Sequence, residues 1–297
     1  MKLFGFFAGN CPDHLVEPFG RAIGNIGWAL SARYRRITLG GLRQAFGNEK
    51  TDEEIYHLAR EVFWHFGRVF VEFFWANRAS DEKINQLVEV DTTPLDEALK
   101  RGRGAILVTA HFGNWELLGR RLVNMGYPIS VVARDSDDPT QTRIVNSVRE
   151  RGGYRVISRG ESAGQLLSLL RDNQLLAILP DQNTIDSPVF VPFFGKRASV
   201  APGVGILTVR SGSPIIPGFA VRQKHGWKVN IYPTIEPPAE GDLREKIYRI
   251  SQQFTAVIED QIRQNPEQWL WLHERWRKRP PEEEKALESA NRPDEKP

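Results

Sequence analysis

Apolar positions change their rhythm once along this chain. Residues 14–77 follow a helical period. Thr51-Asp-Glu-Glu54 has the form of a capping box and opens a helix expected to run through Trp75. Within it Ile55, Leu58, Val62, Phe66, Val69, Phe70 and Phe73 return at helical spacing, and Phe63, Phe74 and Trp75 widen the apolar face. A helix this aromatic is expected to be buried on most of its sides or to touch lipid, with core packing favoured.

From residue 94 the pattern alternates between helices and short apolar runs. Helices are predicted at Pro94–Arg101, Trp115–Met125, Pro139–Arg151, Ser162–Arg171, Ala201–Ser211 and Leu243 to about Arg263. Strands are predicted at Ala105–Thr109, Ile129–Ala133, Arg155–Ile157, Leu175–Leu179, Val189–Val191, Ile215–Ala220 and Trp227–Ile231. Strands joined by helical crossovers give an α/β fold, a mainly parallel sheet flanked by helices. The expected organisation is a helical region over 1–93, an α/β domain over 94–277 and a tail over 278–297. That tail, with four prolines and the Glu282–Glu284 run, has little to bury and is expected to be disordered.

Composition narrows the function. Cys11 is the sole cysteine, so a disulfide framework, a cysteine-rich zinc site and a CxxC centre are excluded. The longest stretch free of Asp, Glu, Lys and Arg is 12 residues, for example Gly104–Trp115, whereas a spanning helix needs roughly 20 apolar residues. The net charge is +3, yet the first 50 residues alone carry seven basic side chains against three acids. Phe4, Phe6, Phe7, Phe19 and Trp28 are interleaved with them, a composition that suits an anionic membrane surface and also a solvated helix face over core aromatics. No nucleic-acid-binding signature accompanies the basic residues.

The segment richest in chemistry is Ala110-His111-Phe112-Gly113-Asn114-Trp115-Glu116, between a predicted strand and a predicted helix. Active sites of open α/β proteins gather at such strand ends. A glutamate at the helix start can hold one nitrogen of His111 protonated and free the other to take a substrate proton. The same spacing also suits a capping histidine and an ordinary first-turn acid. The remaining histidines have no metal-ligand spacing, and no Gly-x-Ser-x-Gly elbow offers a nucleophile.

His-Phe-Gly-Asn-Trp-Glu resembles the first block of the lysophospholipid acyltransferase superfamily. Pro180-Asp181-Gln182, Pro188-Val189-Phe190-Val191-Pro192-Phe193-Phe194-Gly195, Ile216-Pro217-Gly218-Phe219 and Pro266-Glu267-Gln268-Trp269-Leu270-Trp271-Leu272-His273 follow in the order of the bacterial lipid A biosynthesis (lauroyl/myristoyl) acyltransferases. The resemblance spans about residues 14–280. It implies a glycerolipid-acyltransferase-like fold with an N-terminal helical membrane-docking region. It implies transfer of a fatty acyl chain from acyl-carrier protein to a hydroxyl of a lipid A precursor or related glycolipid, without metal or organic cofactor.

By the same resemblance His111 is the base and Glu116 its orienting carboxylate. Arg149 and Asp181 match residues needed for activity, Arg134 lies near the acceptor's charged group, and Gln182 and Asn114 join them in binding substrate. Mannosylated phosphatidylinositol, another glycolipid or a lysophospholipid is the alternative acceptor, and an acyl-thioesterase the alternative activity. The family commonly carries a hydrophobic N-terminal anchor, and this chain begins close to where that anchor would end. The implied location is the cytoplasmic face of the bacterial inner membrane, peripheral or monotopic.

Overall fold

The computed structural model of the protein describes residues 2–133, 138–158, 160 and 162–283. Four helices lead the chain: α1 (Lys2–Gly9), α2 (Asp13–Leu30), α3 (Ala32–Phe46) and α4 (Asp52–Ala76). The capping box is formed. The Thr51 hydroxyl accepts the Glu54 N–H, and the Glu54 carboxylate accepts the Thr51 N–H at 2.7 Å. Helices α2 and α4 touch backbone to backbone through glycines: a Cβ on Gly24 would lie 2.4 Å from the Phe63 carbonyl oxygen. Helix α1 falls in a stretch where no element was predicted, because eight residues are too few for a clear period.

The chain continues as α5 (Asp81–Leu87), β1 (Val88–Val90), α6 (Thr93–Leu99), β2 (Ala105–Val108), α7 (Trp115–Asn124), β3 (Ile129–Ala133), α8 (Pro139–Arg151), β4 (Arg155–Ser158), α9 (Ala163–Arg171) and β5 (Leu175–Ile178). Then come the hairpin β6 (Val189–Phe193) and β7 (Lys196–Val200), α10 (Gly203–Ser211), β8 (Ile215–Arg222), β9 (Trp227–Ile231), α11 (Leu243–Gln264) and a 3₁₀ turn at Pro266–Gln268. Seven strands form the main sheet in the order β1-β9-β8-β2-β5-β3-β4. Strands β8, β2, β5, β3 and β4 are parallel, and only the β8–β9 pairing is antiparallel. The predicted α/β class and mainly parallel sheet are observed; β1, α5 and β7 were not predicted.

Strand β2 shows why the sheet sits where it does. All four of its residues are buried, with Ile106 and Val108 in one core and Ala105 and Leu107 in another on the opposite face. A strand covered on both faces reads as a continuous apolar run. Helix α4 serves both cores, with Ile55, Leu58 and Val62 in the first and Val69, Phe74 and Trp75 in the second. Among the described residues no helix is long and apolar enough to cross a membrane.

The expected tail begins later than the sequence suggested. The Lys278 N–H donates to Asn183 Oδ1 at 2.9 Å, Pro280 is buried, and Arg197 pairs with both Glu282 and Glu283. Residues 284–297 lie outside the described residues.

Candidate active site

Register alone brings the central pair together. Val108 of β2 lies opposite Ile178 of the parallel neighbour β5. Three residues beyond each stand His111 and Asp181, both at the carboxyl edge of the sheet. Asp181 Oδ1 lies 2.9 Å from His111 Nδ1, and Oδ2 accepts the His111 backbone N–H at 2.9 Å. The indole N–H of Trp269 donates to the same Oδ2 at 2.9 Å. Burial would raise the Asp181 pKa, but the His111 charge and hydrogen bonds, with that of Trp269, outweigh it and hold the carboxyl at about 2. An ionised carboxylate has no proton to give, so Nδ1 is the ring nitrogen that donates to it, and Nε2 is the nitrogen left to meet a substrate.

The loop that carries His111 is clamped from three sides. Leu270 N–H donates to the His111 carbonyl at 2.9 Å, Gly113 N–H to the Gln268 carbonyl at 2.8 Å, and Asn114 N–H to the Ala220 carbonyl at 3.3 Å. Gly113 has φ +58°, and a Cβ there would fall 1.7 Å from the Ala220 oxygen, so only glycine fits. Asn114 caps α7, its Oδ1 accepting the Leu117 N–H at 3.1 Å. Its amide donates to Glu72 at 2.9 Å, and Glu72 also accepts from Arg222 at 2.8 Å. The Arg222 guanidinium lies 4.0 Å from the Trp227 ring centroid. The ring of buried His65 meets the Gly113 carbonyl at 3.1 Å, and burial first, then Arg222, pushes its pKa well below the ordinary value.

The expected contact between His111 and Glu116 is not formed. The carboxylate on the ring is that of Asp181. Glu116 accepts instead from Arg149 (2.6 Å to Nη2, 3.1 Å to Nε), from the Tyr154 hydroxyl at 2.6 Å and from the Trp115 indole at 3.0 Å. Burial opposes its charge, but Arg149 and the other donors more than compensate and lower its pKa. The reason lies in side-chain direction: from the first turn of α7, Glu116 meets α8 and the start of β4 rather than the preceding loop. The Trp115 ring lies 5.1 Å from the His111 ring.

His111, Glu116, Arg149 and Tyr154 all line one cavity of about 540 Å³. Its apolar lining includes Leu107, Val131, Ala177 and Leu207. That volume is in the range of pockets that enclose small organic ligands. Gln182 is exposed and lines the same cavity beside Asp181. Asn114 is buried and does not line it, so its side chain acts on the loop. Arg134 lies outside the described residues.

A histidine with an ionised partner, opening onto a cavity with apolar walls, is an arrangement able to take a proton from a hydroxyl beside apolar material. The model of the family described as bacterial lipid A biosynthesis acyltransferase matches residues 3–278. The chain belongs to this family. It is an acyltransferase by that membership, and its relatives differ in what they acylate. A lipid A biosynthesis palmitoleoyltransferase of Escherichia coli is 25% identical over 270 residues, covering 88% of this chain and 84% of the relative. The lipid A biosynthesis lauroyltransferase of the same organism is 26% identical over 280 residues, covering 91% and 87%. A phosphatidylinositol mannoside acyltransferase of Mycolicibacterium smegmatis is 28% identical over 195 residues, covering 64% of this chain and 62% of the relative.

Several residues that hold the His111 loop were not singled out from sequence. His65 and Glu72 are seven apart on α4, hence on one face, and polar residues inside an aromatic helix are a signal that could have marked them. Arg222 gave no such signal, and Gln268 was marked only as part of the Pro266–His273 block.

Proposed function

We propose that the protein transfers a fatty acyl chain from an acyl-carrier-protein thioester to a hydroxyl of a lipid A precursor, with His111 as base and Asp181 as its partner. The observation that carries this reading is the His111–Asp181 pair opening onto the apolar cavity. The chain lies along the apolar walls and presents the thioester carbonyl beside His111. Nε2 takes the proton of the acceptor hydroxyl as its oxygen attacks that carbonyl. The tetrahedral intermediate collapses, the C–S bond breaks, and the imidazolium returns its proton to the thiolate. An acyl ester and a free carrier thiol result.

Glu116, Arg149 and Tyr154 shape a polar part of the same lining. Arg149 is committed to Glu116, so in this reading it positions the wall rather than holding an acceptor phosphate. Phosphatidylinositol mannoside is the second acceptor to test, because the relative at 28% identity bears that name. For location we propose peripheral docking on the cytoplasmic face of the inner membrane through α1 and α2. The exposed Phe6, Phe7, Leu15, Ile26 and Leu30 and the basic excess of the first 50 residues support it. Deleting residues 1–18 should reduce pelleting with anionic vesicles more than activity on detergent-dispersed substrate.

The deciding assay offers purified protein an acyl-carrier thioester with and without each acceptor, and measures free carrier and acylated glycolipid. Acceptor-dependent release with matching ester formation is expected. Equal release in both conditions would make the protein a thioesterase.

A further inference from the structure

Beside the reaction cavity lies a second, strongly basic groove of about 660 Å³ between α3 and the segment after the 3₁₀ turn. Arg33 and Arg36 of α3 line one side, and His273, Glu274, Arg275 and Arg277 the other. Arg33, Arg36 and Arg277 are exposed and have no ion-pair partner among the described residues. Arg275 is only 2% exposed and makes no contact ion pair; the Asp181 carboxylate acts on it only from a distance. One of its terminal nitrogens donates to the Ser199 carbonyl at 2.5 Å, its plane lies 5.3 Å from the Phe193 ring centroid, and Nε has no hydrogen-bond partner. A buried cation whose one anion stands beyond hydrogen-bond reach is costly unless a ligand completes it. Burial pushes its pKa down to about 10, in keeping with that cost.

The groove connects to the reacting atoms. His273, Glu274 and Arg277 also line a neighbouring depression, which shares Gln182, Asn183, Thr184 and Asp186 with the cavity under His111. His273 Nε2 accepts the Asn183 N–H at 2.8 Å, tying the groove wall to the strand end that carries Asp181. At its outer end Arg33 and Arg36 follow the exposed Leu30 and flank the exposed Tyr34. Phosphate recognition next to an apolar surface fits a molecule that carries both phosphate and acyl chains.

We infer that this arginine groove is the phosphate-binding subsite for the glycolipid acceptor, holding its phosphate while the acceptor hydroxyl reaches His111. The inference rests on the acyl-transfer reading above and names a subsite of the same cleft. Guanidinium groups meet phosphate oxygens in a planar, two-point fashion that lysines do not reproduce.

The test is the double charge reversal Arg33→Glu/Arg36→Glu, which alters exposed side chains only, set against Arg210→Glu/Arg249→Glu elsewhere on the surface as a control of equal charge change. Detergent-dispersed phosphorylated glycolipid and its phosphatase-treated form serve as acceptors. In wild type, dephosphorylation should raise the acceptor KM about tenfold or more. In Arg33→Glu/Arg36→Glu the KM for the phosphorylated form should rise by a similar factor, the difference between the two forms should vanish, and the KM of the carrier thioester should hold. A raised donor KM with an unchanged acceptor KM would overturn the inference and give the groove to the carrier. An equal loss in the control pair would overturn it as a general charge effect. Calorimetric titration with inorganic pyrophosphate needs no turnover: wild type and control should bind it and the groove variant should not. Absence of binding to wild type, or binding kept in the groove variant, contradicts the subsite. Binding of the expected pattern without any acyl transfer would sink the reaction assignment instead.

Discussion

Two carboxylates line or flank the same cavity wall, and their partners separate their roles. Asp181 faces an imidazole, a ring with one nitrogen to donate and one to accept a proton. Glu116 faces a guanidinium, which does not. The first pair can move a proton; the second can only hold charge in place. Position relative to the histidine in sequence was the wrong guide. Glu116 is five residues from His111 and bonds elsewhere, whereas Asp181 is seventy residues away and bonds the ring.

Substitutions should split along that line. The largest effect is expected at the base itself: His111→Ala should cost roughly 10²–10⁴-fold in kcat while circular dichroism and Tm stay near wild type. Near-normal turnover in this variant would remove the mechanism. Asp181→Asn preserves volume but weakens control of the ring tautomer, and its kcat should fall to within about tenfold of the His111→Ala value.

Glu116→Gln should show its main effect in stability. It leaves Arg149 without its charge partner, with side-chain exposures of only 11% and 16% for the pair. Chemical denaturation should register a loss of about 3 kcal/mol, the lower end for buried pairs because both groups keep some solvent contact. Replacing both, as Glu116→Gln/Arg149→Met, should restore part of that loss. If Glu116→Gln instead lowers kcat as far as Asp181→Asn with stability intact, the distinction between the two carboxylates fails.

The effect of narrowest reach, felt only in acid, concerns pH. Burial, and Arg275 with it, pushes His273 down to about 4, despite the nearby Asp181. Below pH 6.5 the unfolded chain therefore binds protons that the folded chain refuses, so stability falls as pH drops from about 6.5 toward 4. The contribution of His273 reaches about 3 kcal/mol at most, and buried His65 acts in the same direction. His273→Gln, whose amide oxygen can still accept the Asn183 N–H, should flatten that slope in pH-dependent melting. An unchanged slope would assign it to other groups.

The elements with strong periodicity were legible in the sequence. Helix α4 announced itself by its capping box and apolar stripe, and β2 and β5 by runs buried on both faces. Strand β1 has three residues and β7 reads Lys-Arg-Ala-Ser-Val, too short or too polar for a period to emerge. His111 and Asp181 were legible as individual residues but not as a pair, because their meeting depends on β5 lying beside β2, a fact of sheet order. The Glu72–Arg222–Asn114 cluster spans 150 residues of chain and exists only once α4, β8 and the His111 loop are packed.

The claim that His111 works with Asp181 is tested most directly by NMR of the imidazole-¹⁵N-labelled protein, following the His111 Nδ1 proton. The hydrogen-bonded Nδ1–H resonance should be present in wild type, persist in Glu116→Gln and disappear in Asp181→Ala. Loss of that resonance in Glu116→Gln with its retention in Asp181→Ala would contradict the account.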